Sequence, residues 1–205
     1  MKLYDSERAP NPRRVRWCMA EKGIEDIEIV PVDLFKGEHR SADYRAQAGL
    51  PHVPALQLDD GSTITESIAI CRYLESRYPE PNLFGRDPQE IAVIEMWTRR
   101  AEMMLATPLM MAVRHSHPAL AALERQVPEV AGFYRSVAER TLPVFDRRLG
   151  ETPFIAGERL TIADIVAFTG LDFARMLKFR PAENLVHVAR WAEMMRERPA
   201  AAAGV

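Results

Sequence analysis

The chain has 205 residues, enough to bury one substantial core or two modest ones. Its composition, 47% hydrophobic and 27% charged, is typical of a folded globular protein and excludes a disordered one. A formal net charge of −2 gives no indication of a nucleic-acid partner. No apolar run approaches the roughly 18 residues of a membrane span, and the N-terminus lacks the apolar stretch of a signal peptide. We therefore expect a cytoplasmic protein without nucleic-acid or membrane partners.

The two cysteines, Cys18 and Cys71, both lie within apolar helical patterns. There is no Cys-x-x-Cys pair, so we expect buried structural thiols, which fits a reducing compartment. No metal site is predicted.

The first eighty residues alternate between strand-like and helix-like segments. A short strand is predicted at Leu3-Tyr4, a helix from Pro12 to Lys22 that Gly23 ends, and a second strand over residues 27–32. A loop and short helix follow through residues 36–40.

A hairpin is predicted next, because Ala55–Leu58 and Thr63-Ile64 flank the turn sequence Asp59-Asp60-Gly61. A helix then follows, with its apolar face marked by Ile68, Cys71, Leu74 and Tyr78. The order βαβ, helix, hairpin, helix predicts an α/β domain over residues 1–80, with helices covering a small mixed sheet.

Residues 86–205 show helical patterns without strands, so we predict an all-helical second domain. One long helix should run from Ile91 through Met111 and be kinked by Pro108. Another should run from about Pro128 to Leu149 and be closed by Gly150.

The sharpest local signal in this half is a capping box, in which Thr161 caps a helix and Asp164 reaches back to the cap N–H. Leu160 and Ile165 stand where a hydrophobic staple would close over it. The following helix, Ile165 to Leu177, is apolar on nearly every side and should be the buried centre of a bundle. A cap explains Asp164 better than a catalytic acid does.

These segments together, in this order, resemble the cytosolic glutathione transferase superfamily, particularly its bacterial phi-, theta- and nu-like members. The resemblance is carried by residues 37–40, 53–56 and 65–70 and by the capping box, and it covers almost the whole chain. It implies a thioredoxin-like domain that binds glutathione as co-substrate, a helical domain that supplies the second-substrate pocket, and a homodimer.

Glu66-Ser67 is predicted at a strand-to-helix junction. The free N–H groups and positive end of a helix suit a carboxylate, Ser67 adds a donor, and Glu66 offers a partner for the ammonium group of glutathione. A plain helix cap by Thr65 or Ser67 is the alternative from these residues alone. The resemblance implies a cis bond at Val53–Pro54, with the Val53 backbone pairing with the cysteinyl backbone of glutathione like an added strand.

His39, Arg40 and His52 match family positions around the glycyl end of glutathione. The resemblance implies that they offer donors to its carboxylate. A solvated loop histidine is the alternative, and His52, where relatives often carry glutamine or lysine, should contribute less at high pH.

The thiol must be held as a thiolate, yet Ala9 stands where phi-, theta- and nu-like members place a hydroxyl. Ala9 offers its backbone N–H, whereas Pro10 and Pro12 have none. The remaining side chains are Asn11, which matches the asparagine of a nu-like Pro-Asn pair, and Ser6. An Asn11 N-cap with Pro12 as first helical residue is also a standard helix start, and the two roles are compatible.

Three activities remain open at this point: conjugation of glutathione to a small apolar electrophile, glutathione-dependent reduction of peroxides or disulfides, and non-catalytic ligand binding. Conjugation leads. The electrophile pocket is placed near Trp97, Met104 and Met111, although methionines at helical spacing also suit a core or a dimer interface.

Overall fold

The computed structural model describes residues 1–203 and divides the chain into two compact units. The first contains Met1–Pro81 and also the short 3-10 helix at Pro199–Ala202. The second is Asn82–Arg198. The sequence-based boundaries, 1–80 and 86–205, differ from this division mainly at the C-terminus, because Pro199–Ala202 packs against the first helix of the chain.

A four-stranded mixed sheet forms the centre of the first unit, in the order β2-β1-β3-β4. Strand β1 is parallel to β2 and antiparallel to β3, and β3 is antiparallel to β4. This is the predicted thioredoxin-like order βαβ-α-ββα. The elements are β1 (Lys2–Asp5), α1 (Pro10–Lys22), β2 (Glu28–Pro31), α2 (Ala42–Ala48), β3 (Ala55–Gln57), β4 (Thr63–Thr65) and α3 (Ser67–Arg77).

Helices α1 and α3 pack directly against each other. On α1, Arg14, Cys18 and Lys22 are spaced four residues apart and are all buried, so they form one face of the helix. Cys71 of α3 donates a hydrogen bond from Sγ to the Arg14 carbonyl at 3.8 Å. Both cysteines are buried free thiols, as predicted.

The buried Lys22 ammonium fastens the C-terminal ends of these two helices together. Its Nζ lies 2.6 Å from Oε2 of Glu75 and donates to the carbonyls of Tyr78 and Pro81, both at 2.8 Å. The three acceptors satisfy all three N–H groups of the ammonium, which offsets the cost of burying its charge.

The short helix predicted at 36–40 is a 3-10 turn, Glu38–Arg40, and it leads into α2, which was not separately predicted. The Ser41 hydroxyl oxygen accepts from the Tyr44 N–H at 3.1 Å and caps α2. This cap separates the two helical segments.

The second unit is entirely helical in its named elements, as predicted. No helix within residues 1–203 has the length and apolar character of a membrane span. The α-helices of the second unit are α4 (Pro88–Arg100), α5 (Thr107–Arg114), α6 (Pro128–Glu151), α7 (Ile162–Phe173) and α8 (Val186–Arg196).

Two details of this unit differ from the predicted helices. The segment predicted as one long helix is helical without a break from α4 through a π-helical turn, Ala101–Ala106, to α5, and this turn lies directly before Pro108. The kink at Pro108 stays a prediction. Gly150 lies within α6 and does not end it. A Cβ at Gly150 would lie 3.0 Å from the His187 ring, so the glycine provides room for close packing.

Asp164 has the predicted capping role. Its Oδ2 accepts from the N–H and hydroxyl of Thr161, each at 3.0 Å, and its Oδ1 accepts from the Ile155 N–H at 2.8 Å and Trp191 Nε1 at 3.0 Å. Burial raises the pKa of Asp164, and these four bonds oppose the rise. Residues 162–171 of α7 are all buried, so this helix is the core of the unit, as predicted.

Replacing the buried lysine should destabilise the first unit. Lys22→Met removes the ammonium from the buried Glu75 carboxylate and from two carbonyls, and we expect a loss of about 3 kcal/mol or more in the free energy of unfolding. Urea denaturation followed by circular dichroism measures it. Lys36→Met, which removes an exposed ion pair with Asp33, is the control and should change stability by less than about 0.5 kcal/mol. Equal changes in the free energy of unfolding in the two variants would show that Lys22 does not hold the ends of α1 and α3 together.

Candidate active site

The start of α3 has the geometry that suits an anionic ligand. Its N-cap residue, Glu66, has a φ of 67°, in the left-handed region that non-glycine residues rarely adopt, and it is exposed. Ile70 makes the first helical hydrogen bond, to the Glu66 carbonyl at 2.9 Å, so the N–H groups of the first turn lack helical acceptors. The Glu66 side chain does not cap them. A strained residue beside unused donors is typical of a binding site.

Ser67, the first residue of α3, is buried and lies against α1. Its Oγ accepts a long hydrogen bond, 3.4 Å, from Nη1 of Arg14, which is itself almost fully buried. Since the oxygen accepts from Arg14, the hydroxyl hydrogen is available to donate to a ligand.

Arg14 lies beside the predicted site, and the sequence analysis did not identify it. The available signal was a charged residue on the same helical face as Cys18, where an apolar residue is expected. The guanidinium adds a buried positive charge beside the start of α3.

The Val53–Pro54 peptide bond is cis, as predicted. The adjoining loop is held by Tyr44, whose hydroxyl donates to the His52 carbonyl at 2.5 Å. Burial, and secondarily the neighbouring Tyr4, raises the pKa of Tyr44 to about 12. The hydroxyl therefore keeps the proton that this bond requires.

His39, Arg40 and His52 form a basic cluster together with Arg45. His39 is buried, whereas Arg40 and His52 are exposed. Burial, and then the charges of Arg40, His52 and Arg45, lowers the pKa of His39. Its Nδ1 has no hydrogen-bond partner within residues 1–203. The exposed guanidinium groups of Arg40 and Arg45 give the cluster the positive charge that suits an anionic ligand.

Helix α1 begins two residues earlier than predicted. Ala9 is the N-cap, Pro10 is the first helical residue, and Asn11 is the second, so the N-cap role predicted for Asn11 is wrong. Proline at the first position is favoured because that N–H has no helical acceptor, and Pro10 meets this condition as well as Pro12 does. Asn11 Oδ1 is buried and has no hydrogen-bond partner among residues 1–203, so it does not bond a first-turn N–H as expected.

The first turn of α1 has few donors. The Ala9 N–H bonds the Ser6 carbonyl at 2.9 Å, and Pro10 and Pro12 have no N–H. Arg13 donates to the Ala9 carbonyl at 3.2 Å. Within the described turn, Asn11 therefore offers the remaining backbone N–H as well as its side-chain NH₂.

The predicted electrophile-pocket residues belong to the second unit and are not alike. Trp97 is buried in its core, with its ring 5.7 Å from Phe145 and 4.7 Å from the Arg100 guanidinium. Met104, in the π-helical turn, is 43% exposed, and Met111 on α5 is half-buried. A shared pocket for the three stays a prediction.

Comparisons with known proteins identify the family. Residues 9–77 match the family described as the glutathione S-transferase N-terminal domain, and residues 101–199 match the glutathione S-transferase C-terminal domain. Glutathione S-transferase 2 of Saccharomyces cerevisiae is 34% identical, over 97% of this chain and 87% of its own.

Solved structures agree with that assignment. A glutathione S-transferase domain-containing protein from Marinobacter aquaeolei VT8 superposes with a TM-score of 0.93 at 40% identity, covering 98% of this chain and 99% of its own. Gtt2 from Saccharomyces cerevisiae gives 0.91 at 35% identity, covering 98% of each. The chain therefore belongs to the glutathione S-transferase family. It is a transferase enzyme.

The lowered pKa of His39 should make the free energy of unfolding depend on pH. In the unfolded chain a histidine binds a proton near pH 6.5, whereas folded His39 resists protonation, so stability should fall as the pH drops through about 6.5 and level off below the folded pKa. His39→Gln should lose this part of the pH dependence, which urea denaturation at pH 7.5 and 5.5 measures.

Exposed His52 provides the control, since His52→Gln leaves the burial of His39 in place and should retain most of the acid-induced loss. An unchanged acid-induced loss in His39→Gln would contradict this origin.

Proposed function

We propose that the protein conjugates the thiolate of glutathione to a small, largely apolar electrophile. The observation that carries the proposal is the pairing of α1 and α3, since the two helices that contact each other carry the Asn11 donors and the Ser67 anion site at their N-terminal ends. The start of α1 suits the thiolate, and the start of α3 suits the γ-glutamyl carboxylate.

The carboxylate end combines several donors. First-turn N–H groups and the Ser67 hydroxyl face the ligand, Arg14 adds charge behind them, and exposed Glu66 is available to the ammonium group. At the opposite end of the tripeptide, the basic cluster around His39 receives the glycyl carboxylate. The Val53 backbone pairs with the cysteinyl residue between them.

The glutathione thiolate is stabilised without a hydroxyl side chain from the protein. Asn11 donates to sulfur from its NH₂, from its backbone N–H or from both, and the positive end of α1 stabilises the same negative charge. Lowering a thiol pKa by two units requires about 2.7 kcal/mol. One hydrogen bond to a charged group contributes about 1.5–3 kcal/mol and a helix N-terminus about 0.3–1 kcal/mol, so these groups suffice.

In the reaction the sulfur lone pair forms a carbon–sulfur bond to the electrophile, and the leaving group departs with its electron pair. The thiol proton has already been released to solvent. Assays with a chloro-nitroaromatic and with an organic peroxide test the proposal: conjugation should dominate, and peroxide reduction without conjugation would overturn it. The homodimer and the cytoplasmic location stay predictions.

Removal of the Ser67 hydroxyl should weaken glutathione binding. Ser67→Ala loses one charge-assisted hydrogen bond, and calorimetric titration should show a loss of about 1.5–3 kcal/mol in binding free energy. Ser62→Ala is the control, because Ser62 lies in the exposed hairpin turn and bonds to Asp60. Unchanged affinity in Ser67→Ala would remove the hydroxyl from the site.

Removal of the Asn11 amide should raise the thiol pKa. We expect Asn11→Ala to move the apparent pKa of conjugation up by about one unit or more, the equivalent of one hydrogen bond to sulfur, with little change in glutathione affinity. The pH dependence of kcat/KM for the electrophile, at saturating glutathione, measures this pKa. The melting temperature first shows that the variant is folded.

Ser6→Ala is the matched control and should leave the pKa nearly unchanged. The reverse pattern would transfer the role to Ser6. No shift in either variant would assign the thiolate to the Asn11 backbone N–H and the helix end.

A further inference from the structure

The loop over residues 50–53 leads from α2 into the cis Val53–Pro54 bond. At its start, the Gly49 N–H donates to the Arg45 carbonyl at 2.9 Å and ends α2, and β3 begins only at Ala55. Between these points, residues 50–53 form no backbone–backbone hydrogen bond with any part of the described chain, residues 1–203. A loop without such bonds does not by itself hold its backbone groups in one orientation.

The Tyr44 hydroxyl provides a hydrogen bond to this loop from α2. It donates to the His52 carbonyl at 2.5 Å. That carbonyl belongs to the same peptide group as the Val53 N–H. The peptide is trans and planar, so its C=O and N–H point in opposite directions. A carbonyl held towards Tyr44 therefore fixes the Val53 N–H to point away from α2.

Tyr44 is itself rigidly held. Its ring is buried in an apolar cluster with Val32, Ala48 and Ala55, against which the Val53 side chain also packs. The edge of the ring meets the Tyr4 ring at a centroid distance of 5.9 Å and an angle of 87°. A phenyl ring without the hydroxyl would fill the same space, so the packing of this cluster does not require the oxygen.

We propose that Tyr44 is a positioning residue for glutathione, and that its hydroxyl orients the Val53 N–H to donate to the cysteinyl carbonyl of the tripeptide. Tyr44 does not contact the ligand and acts through the His52–Val53 peptide group. A hydrogen bond accepted by the carbonyl of an amide also polarises its N–H and makes it a better donor. The inference rests on the proposed function, because it assumes that Val53 pairs with glutathione.

Tyr44→Phe tests the proposal by removing one oxygen atom. Calorimetric titration with glutathione, without an electrophile, should show a dissociation constant about five- to tenfold higher than in wild type. The KM for glutathione should rise by a similar factor, whereas kcat and the pKa of the bound thiol at saturating glutathione should not change. A general loosening of the site would lower kcat as well, so this separation of KM from kcat distinguishes positioning from a structural defect.

The matched control is Tyr4→Phe. It removes a hydroxyl from the neighbouring ring, but that hydroxyl donates to Oε1 of Gln57 at 3.5 Å and not to the loop. Its dissociation constant for glutathione should stay within about twofold of wild type, because so long a hydrogen bond is weak. Melting temperatures above the titration temperature confirm that both variants are folded.

A second ligand, γ-glutamylcysteine, locates the effect of Tyr44→Phe. This dipeptide keeps an acceptor oxygen at the cysteinyl position and lacks the glycyl carboxylate. Tyr44→Phe should weaken it by the same factor as glutathione if the hydroxyl acts through the Val53 N–H. A loss confined to glutathione would place the effect at the basic cluster around His39 and would overturn the proposal.

The proposal is also overturned if Tyr44→Phe binds glutathione as tightly as wild type, or if Tyr4→Phe loses as much affinity as Tyr44→Phe. Either result with normal wild-type binding leaves the proposed function intact. A wild-type protein that does not bind glutathione would overturn the proposed function and this inference together.

Discussion

The packing of α1 against α3 is the constraint on which the candidate site depends. Their interface is built from a face of α1 that carries Arg14, Cys18 and Lys22, and each of these makes a different contribution. Lys22 fastens the C-terminal ends, Cys18 fills the middle, and Arg14 reaches Ser67 at the N-terminal end of α3. The same interface that stabilises the first unit therefore fixes the two helix starts that the proposed chemistry requires.

In the proposed reaction, this arrangement replaces the hydroxyl that Ala9 lacks. A thiolate needs a few kcal/mol of stabilisation, and one well-placed donor at a helix end supplies it. The first turn of α1 contains two prolines, which have no N–H, and the Ala9 N–H already donates to the Ser6 carbonyl. Asn11 therefore holds the donors of this turn that could reach the sulfur. The buried Asn11 Oδ1, which has no hydrogen-bond partner in the described part of the chain, is the opposing cost, since a carbonyl without a hydrogen bond destabilises the unliganded protein.

The order of elements in the first unit, the cis Val53–Pro54 bond and the Asp164 cap could all be predicted, because each has a strong local pattern or a family resemblance behind it. The start of α1 could not, since Pro10 and Pro12 satisfy the same condition for a first helical residue. Arg14 and Lys22 were missed because charged side chains are normally exposed, and their burial depends on partners in α3 that are distant in sequence. Helix α8 was not predicted either, although the buried Val188, Trp191 and Met195 have helical spacing. The chain reversal at Lys178, a non-glycine residue with positive φ, was not predicted, because the sequence has no clear signal for it.

The most direct test of the central claim is the ionisation of glutathione bound to the wild-type enzyme. Thiolate absorbance in the ultraviolet, recorded as a difference spectrum across pH, gives the pKa of the bound thiol without any second substrate. We predict a pKa of the bound thiol about two units below that of a free cysteine thiol, which is about 8.5. A bound thiol that titrates like the free one would contradict activation by Asn11 and the start of α1.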